Sequence, residues 1–170
     1  KKVIGRLRDA GIVCMPTVGA LKHAQKAIEM GANAITVQGG EGGGHTGSVP
    51  STLLIPQVVD AVQVPVVAAG GFYDGRGLLA ALALGASAVQ IGTAYLFCPE
   101  AKVSDAHRQA LHSAQASDTA LTNLFTGRPA RGINNRIMSE LGPMSDLAPA
   151  FPLAGGALMP LRAISDSAGS

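Results

Sequence analysis

The chain has 170 residues, of which 47% are hydrophobic and 14% charged, with a formal net charge of +2. That apolar content excludes a disordered polar chain, which could not bury enough surface to offset its ordering entropy. Thirteen Lys and Arg against eleven acids, with no basic stripe, argue against a nucleic-acid binder, and four Phe, two Tyr and no Trp leave little for stacking on bases or sugars.

Strand and helix signals alternate along the chain. Residues 12–18 form a short apolar run with β-branched residues, followed by Leu21, Ala24, Ala27 and Ile28 on one helix face. Gly31 sits where a helix end favours a left-handed residue. Residues 34–38 form a second strand, and a glycine-rich loop, GGEGGGHTG, covers 39–47. A helix over 56–62 with Pro56 in its first turn comes next. Residues 65–69 form the third strand, ending in Gly70-Gly71. Asp74 is the N-cap of a helix running to Leu84 and stopped by Gly85. Residues 88–93 form the fourth strand. The strands are continuous apolar runs, the pattern of parallel strands buried on both faces. GANAITVQ at 31–38 is echoed by GASAVQIG at 85–92. Four strand–helix units fit either half of an eight-fold barrel or a smaller doubly wound sheet.

After Glu100 the character changes. Residues 106–125 read as a polar helical region, 126–136 (TGRPARGINNR) as a basic loop, and 141–170 as a weakly ordered tail rich in Pro, Gly, Ala and Ser. No linker divides the chain. Cys14 and Cys98 lie far apart and fit neither a disulfide framework nor a metal site, which points to reduced thiols in a cytoplasmic protein. The opening residues do not read as a signal peptide. The uncharged stretch between Arg76 and Glu100 is long enough to span a bilayer, but Gly85, Gln90 and the β-branched residues make it helix, turn and buried strand.

Two clusters could carry chemistry. His45 stands among glycines directly after a strand, in a backbone that a ligand can approach closely. Its imidazole suits proton transfer near neutral pH. His23, His107 and His112 read as solvent-facing helix positions. The second cluster is Gly70-Gly71 with Gln90, Ile91, Gly92 and Thr93, at the carboxyl ends of successive strands. Exposed backbone N–H groups, a following helix N-terminus and the Thr93 hydroxyl suit a phosphate. Gln38 ends its strand facing the same side, either for a ligand or as a plug of the barrel mouth. Arg128 and Arg131 suit either an anion or a solvated loop.

Three segments together, QGGEGGGHTG (38–47), PVVAAGGFYDGRGLLAALALGASAVQIGT (65–93) and TGRPARGINNR (126–136), closely resemble the nitronate monooxygenase family, formerly 2-nitropropane dioxygenases. The resemblance implies a (βα)8 TIM barrel binding FMN at its carboxyl-end face, with residues 1–140 as its last four βα units and 141–170 as a helical or irregular tail. It implies that Gly70, Gly71, Gln90, Ile91, Gly92 and Thr93 bind the FMN phosphate, that Gln38 and Gly43 approach the flavin, and that His45 is the catalytic histidine. The implied partners are a small nitroalkane or nitronate and O2, with no metal, nucleic acid or membrane. Unpaired edges of a half barrel favour a homo-oligomer. FMN-dependent enoyl-acyl-carrier-protein reductases share a similar loop, so enoyl-thioester reduction is the alternative activity, and a non-catalytic flavin- or phosphate-binding piece is a third possibility.

Overall fold

The computed structural model describes residues 2–168. Its elements fall into two compact units. One comprises the chain up to Gly42 together with Thr46–Ile91, and the other comprises Gly43–His45 together with the residues from Gly92 on.

The first unit is an α/β layer. Helix α1 (Lys2–Asp9), not anticipated from the sequence, precedes strand β1 (Thr17–Val18). Then come α2 (Leu21–Glu29), β2 (Ile35–Gln38), α3 (Ser51–Ala61), β4 (Val66–Ala69), α4 (Gly75–Ala83) and β5 (Ala88–Gln90); the intervening β3 (Gly44–His45) belongs to the second unit. The sheet order is β1-β2-β4-β5, and every pair is parallel. Each new strand is added on the same side of the last. A doubly wound sheet would reverse direction at a switch point. The arrangement is therefore that of consecutive units of a (βα)8 barrel.

Burial explains why the central strands form. Ile35, Val37, Val66 and Ala68 alternate along β2 and β4 and pack with Leu54, Ile55 and Val58 of α3, Ala24 and Ala27 of α2 and Ala81 of α4. The neighbouring face of β2 is buried too, with Thr36 1% exposed. The expectation of burial on both faces does not extend to β5, where Ala88 and Gln90 are exposed. Among the described residues β5 pairs on one side only, with β4. The first and fourth strands are also shorter than expected, starting at Thr17 and ending at Gln90.

Several helix ends follow local chemistry, and one start departs from the sequence expectation. Gly31 and Gly85 take φ of +94° and +93°, the left-handed stops expected of them. Asp74 caps α4, accepting from the backbone N–H of Arg76 at 2.9 Å and of Gly77 at 3.2 Å. That helix is α3. It starts at Ser51, so Pro56 lies inside it rather than in its first turn. The start is set by Glu41, whose carboxylate accepts from the Ser51 N–H at 3.0 Å and lies at the positive end of the helix dipole. Pro56 removes one ladder bond, a loss that packing of Leu54, Ile55 and Val58 outweighs.

The Asp74 cap gives an acid-side prediction. The Arg76 side chain first, then the Gly77 N–H, hold the Asp74 carboxyl below its ordinary 3.8. A lowered folded value means its contribution is complete above about pH 4 and is lost as pH falls through the lower, folded value. Both partners are solvated, so the effect is small. Asp74→Asn, which still caps, should flatten this part of the stability profile in thermal melts between pH 2.5 and 6, and an unchanged slope would remove Asp74 as its source.

The second unit is built on an antiparallel sheet in the order β3-β7-β6, with β6 (Thr119–Thr122) and β7 (Ala130–Ile133). Two sequence expectations are corrected here, and the helical or irregular tail gains a definite element. The helical reading of 106–125 holds only for α5 (Asp105–Ser113); a short 3₁₀ turn (Ala116–Asp118) and β6 follow. The basic loop 126–136 contains β7 and the first residue of α6 (Arg136–Leu141). The tail includes α7 (Ala154–Ala168), which accommodates Pro160. No helix among the described residues is long and apolar enough to cross a membrane, and the stretch between Arg76 and Glu100 holds α4, β5 and a 3₁₀ turn (Thr93–Phe97).

Candidate functional site

In the first unit the candidate residues gather at the carboxyl end of the parallel sheet. Register places Gln38 beside Ala69, and Ala69 beside Gln90, so the two glutamines end their strands at one level on either side of β4. Gly70 and Gly71 follow directly, with φ of +94° and +79°. A Cβ on Gly70 would lie 3.0 Å from both the Gly39 oxygen and the Gly42 nitrogen. The close approach that requires glycine at Gly70 is therefore to the chain's own backbone. A Cβ on Gly42 would likewise strike the Gln38 amide, so Gln38 packs beneath the glycine loop.

Ser51, which carried no signal in the sequence, ties this end together. It is 5% exposed. Its hydroxyl lies 2.8 Å from the Glu41 carboxylate and 3.1 Å from the Gly70 carbonyl, sharing one hydrogen between them. A serine after a proline reads as an ordinary helix start; the partners are ten and nineteen residues away. Ser51→Ala leaves the Gly70 carbonyl and part of the Glu41 carboxylate with fewer donors, and should cost about 1–3 kcal/mol in urea unfolding. A loss below about 0.5 kcal/mol would show that water replaces the hydroxyl.

The helix N-terminus expected to serve a phosphate is partly taken up by its own cap. Asp74 takes the Arg76 and Gly77 N–H groups of α4, and Arg76 closes on Asp74 at 2.6 Å. What remains for an anion, among the described residues, is the Gly75 N–H at the start of α4 and loop backbone. Among the described residues the Gly71 N–H donates to no acceptor. An exposed, left-handed glycine with a free N–H is a fitting donor for a phosphate oxygen.

In the second unit Gly92 and Thr93 are exposed, and the 3₁₀ turn starts at Thr93 rather than the strand continuing to it. Ile91, half-buried, ends the first unit. The Gly92 N–H also has no acceptor among the described residues, and a Cβ there would meet open space. Gly43 lies against Thr93: a Cβ on it would be 3.4 Å from the Thr93 hydroxyl. Arg108 of α5 fixes the turn by donating to the carbonyls of Leu96 at 3.0 Å, Cys98 at 3.4 Å and Ala101 at 3.3 Å.

His45 is exposed but not on a free loop. It pairs with Ala130, and Gly44 pairs with Arg131, so β3 is laid on the edge of β7. Its Nε2 lies 2.9 Å from the Thr126 hydroxyl. Its ring meets Phe151 edge-on, with centroids 5.7 Å apart and planes at 79°. The Arg128 guanidinium lies over the same phenylalanine ring at 5.2 Å. Two of the sequence motifs, 38–47 and 126–136, therefore meet in one sheet around this histidine. Arg131 donates to Thr119 at 3.3 Å, a sheet role rather than a loop role. His23, His107 and His112 are exposed on helices as expected, and His112 also packs on Phe97. Among the described residues no group of three His, Cys, Asp or Glu could hold a metal ion.

Known proteins agree with this architecture. A family model described as nitronate monooxygenase matches residues 1–166. A (3aS,4S,5R,7aS)-5-hydroxy-7a-methyl-1-oxo-octahydro-1H-indene-4-carboxyl-CoA dehydrogenase of Rhodococcus jostii (strain RHA1) is 49% identical over 141 residues, covering 83% of this chain and 40% of that protein. A protein of Staphylococcus aureus (strain JH9) named "Probable nitronate monooxygenase" is 39% identical, covering 90% of this chain and 46% of its own length. Among solved structures, nitroalkane oxidase from Streptomyces ansochromogenes matches with a TM-score of 0.89 at 39% identity, over 99% of this chain and 51% of that one. FabK from Thermotoga maritima matches with a TM-score of 0.77 at 36% identity, over 82% and 45%. The chain thus spans about half the length of these relatives, or somewhat less.

Proposed function

This chain belongs to the nitronate monooxygenase family, and from that premise we propose that it provides the carboxyl-terminal part, residues 1–140, of a (βα)8 barrel that oxidises alkyl nitronates with O2 to a carbonyl compound and nitrite, using FMN. Residues 141–170 then follow the barrel segment. Gly71, Gly92 and Thr93 are the proposed phosphate donors, alongside Gly70, Gln90 and Ile91, and Gln38 and Gly43 are the proposed flavin neighbours. Each taken within its own unit, Gly71 and Gly92 have an N–H with no acceptor among the described residues, which supports the proposal. When bound, the flavin supplies the electron transfer and the reduction of O2.

The protein's own contribution is a positioned base. His45 accepts the α-proton of a neutral nitroalkane, or orients a nitronate that is already ionised. The observation that carries this reading is the setting of His45: exposed, flanked by glycine, and fixed by the ladder to β7 and the Thr126 hydroxyl. The glycines admit substrate to the imidazole, and the ladder keeps the ring from drifting, the geometry that proton transfer demands.

A second reading is favoured by the 49% identity to the carboxyl-CoA dehydrogenase and the likeness to FabK. On it the substrate is a thioester, whose carbonyl acidifies the α-carbon as a nitro group does, and the reaction is thioester dehydrogenation or enoyl-thioester reduction. One paired assay on the flavin-loaded protein separates them. Nitrite release and O2 uptake with ethylnitronate, without any nicotinamide, support the first. Nicotinamide-linked turnover of an acyl- or enoyl-thioester with no nitrite supports the second. A protein that takes up FMN but shows neither activity supports the non-catalytic flavin-binding piece, and one that stays colourless after FMN addition is an inactive fragment. A small-molecule enzyme of the cytoplasm, with self-association of copies, completes the proposal.

A further inference from the structure

We propose that Thr126 is a positioning residue that holds His45 as its Nε2–H tautomer, the form in which it takes the substrate's proton. The second half of this statement rests on the reading of His45 as the proton acceptor; the first half stands on geometry alone.

The Thr126 hydroxyl sits among three polar atoms. It is 2.9 Å from His45 Nε2, 3.0 Å from the Arg128 carbonyl oxygen and 3.3 Å from the Arg128 backbone nitrogen. Two of these have fixed roles, since a backbone N–H only donates and a carbonyl only accepts. The hydroxyl has one hydrogen and two lone pairs. Given to the Arg128 carbonyl, that hydrogen leaves both lone pairs to accept, one from the Arg128 N–H and one from Nε2–H. All three contacts are then hydrogen bonds. Given to Nε2 instead, it leaves the carbonyl contact with no hydrogen in it. The first arrangement satisfies more groups and places the ring proton on Nε2. In a neutral imidazole the lone pair then resides on Nδ1.

The surroundings keep this arrangement in place. Gly127 turns the chain around the hydroxyl with φ of +82°. A Cβ there would strike backbone atoms of Pro149, Ala150 and Phe151, so the 149–151 segment rests directly on the turn. Phe151 in turn meets the His45 ring edge-on and restricts its rotation. The backbone of His45 is fixed by its pairing with Ala130.

The test reads the tautomer directly. Two-bond ¹H–¹⁵N correlation spectra of the flavin-loaded protein, with ¹⁵N-labelled histidine, distinguish protonated from unprotonated ring nitrogens. The expected result is a protonated Nε2 and an unprotonated Nδ1 at His45, retained in Thr126→Ser. In Thr126→Val, which keeps the shape but not the hydroxyl, the pattern should become a mixture or reverse, with His23, His107 and His112 unmoved. A protonated Nδ1 in the unaltered protein would overturn the proposal, as would a Thr126→Val spectrum identical to the parent. If Thr126→Val does not fold, the parent spectrum and Thr126→Ser decide. Kinetically, Thr126→Val should lower kcat on a neutral nitroalkane about tenfold, below the loss for removing the base itself, while Thr126→Ser stays near the parent. The expected tautomer in a protein that turns over no nitroalkane would uphold the Thr126 assignment and set aside the nitronate reading.

Discussion

His45→Ala should lower turnover of neutral nitroethane by about 10²–10⁴-fold, the usual cost of losing a general base, while ethylnitronate should lose far less. The difference arises because a pre-formed nitronate has already given up its α-proton and needs the imidazole only for orientation. Measuring nitrite release for both substrates, with flavin content matched between variant and parent, isolates this step. Equal small losses on both would remove His45 as the base. Equal large losses would mean that it acts after proton removal or in binding. Because the ring is held by Thr126 and the β7 ladder rather than by the flavin contacts proposed for the glycines, the variant should still bind FMN.

Gly70→Ala should be the most damaging of the glycine substitutions. Two penalties coincide at this residue. An L-residue in the left-handed region costs about 1–2 kcal/mol, and the new methyl would lie 3.0 Å from backbone atoms of Gly39 and Gly42 that cannot swing aside. Forced displacement of this kind adds about 1–3 kcal/mol. Gly92→Ala supplies the contrast, because its Cβ would enter open space and its φ is −103°. Its stability should change by no more than about 0.5 kcal/mol. Urea unfolding of the two variants checks the pair. Near-equal stabilities would mean that the glycine loop re-forms around a side chain at Gly70, and that the contact between Gly70 and the loop is not fixed.

The parts of the molecule legible in the sequence are those whose causes are local. Asp74 with α4 behind it, and Gly31 and Gly85 at helix ends, act on residues within one turn of themselves, so pattern reading finds them. The central strands β2 and β4 were legible because burial on both faces forces continuous apolar runs. The start of α3 was hidden because its cap is the Glu41 carboxylate, ten residues upstream, while Pro56 gave a misleading local signal. β7 was hidden for a similar reason: Gly127, Pro129, Asn134 and Asn135 flank a strand that contains Arg131, and its partners lie in β6 and, more than 80 residues earlier, in β3. The individual motifs were readable, as was His45 itself. That the 126–136 segment holds His45, through Thr126 and the pairing with Ala130, was not, because a threonine before a glycine carries no mark of its long-range partner.

Residues 43–45 belong with the second unit although the residues on either side belong with the first. The boundary that matters for exchanging parts between relatives is therefore not the obvious one at Gly92. A chimera taking everything from Gly92 onward from another member would seat a foreign β7 against the native Gly44 and His45, and a foreign residue at 126 against the native imidazole. The smallest transferable cassette is instead discontinuous: residues 43–45 with 119–133 and the 149–151 segment that rests on Gly127. Family members that differ in activity should differ in these three stretches jointly, and recombination within the glycine loop should more often produce folded but inactive proteins than altered specificity.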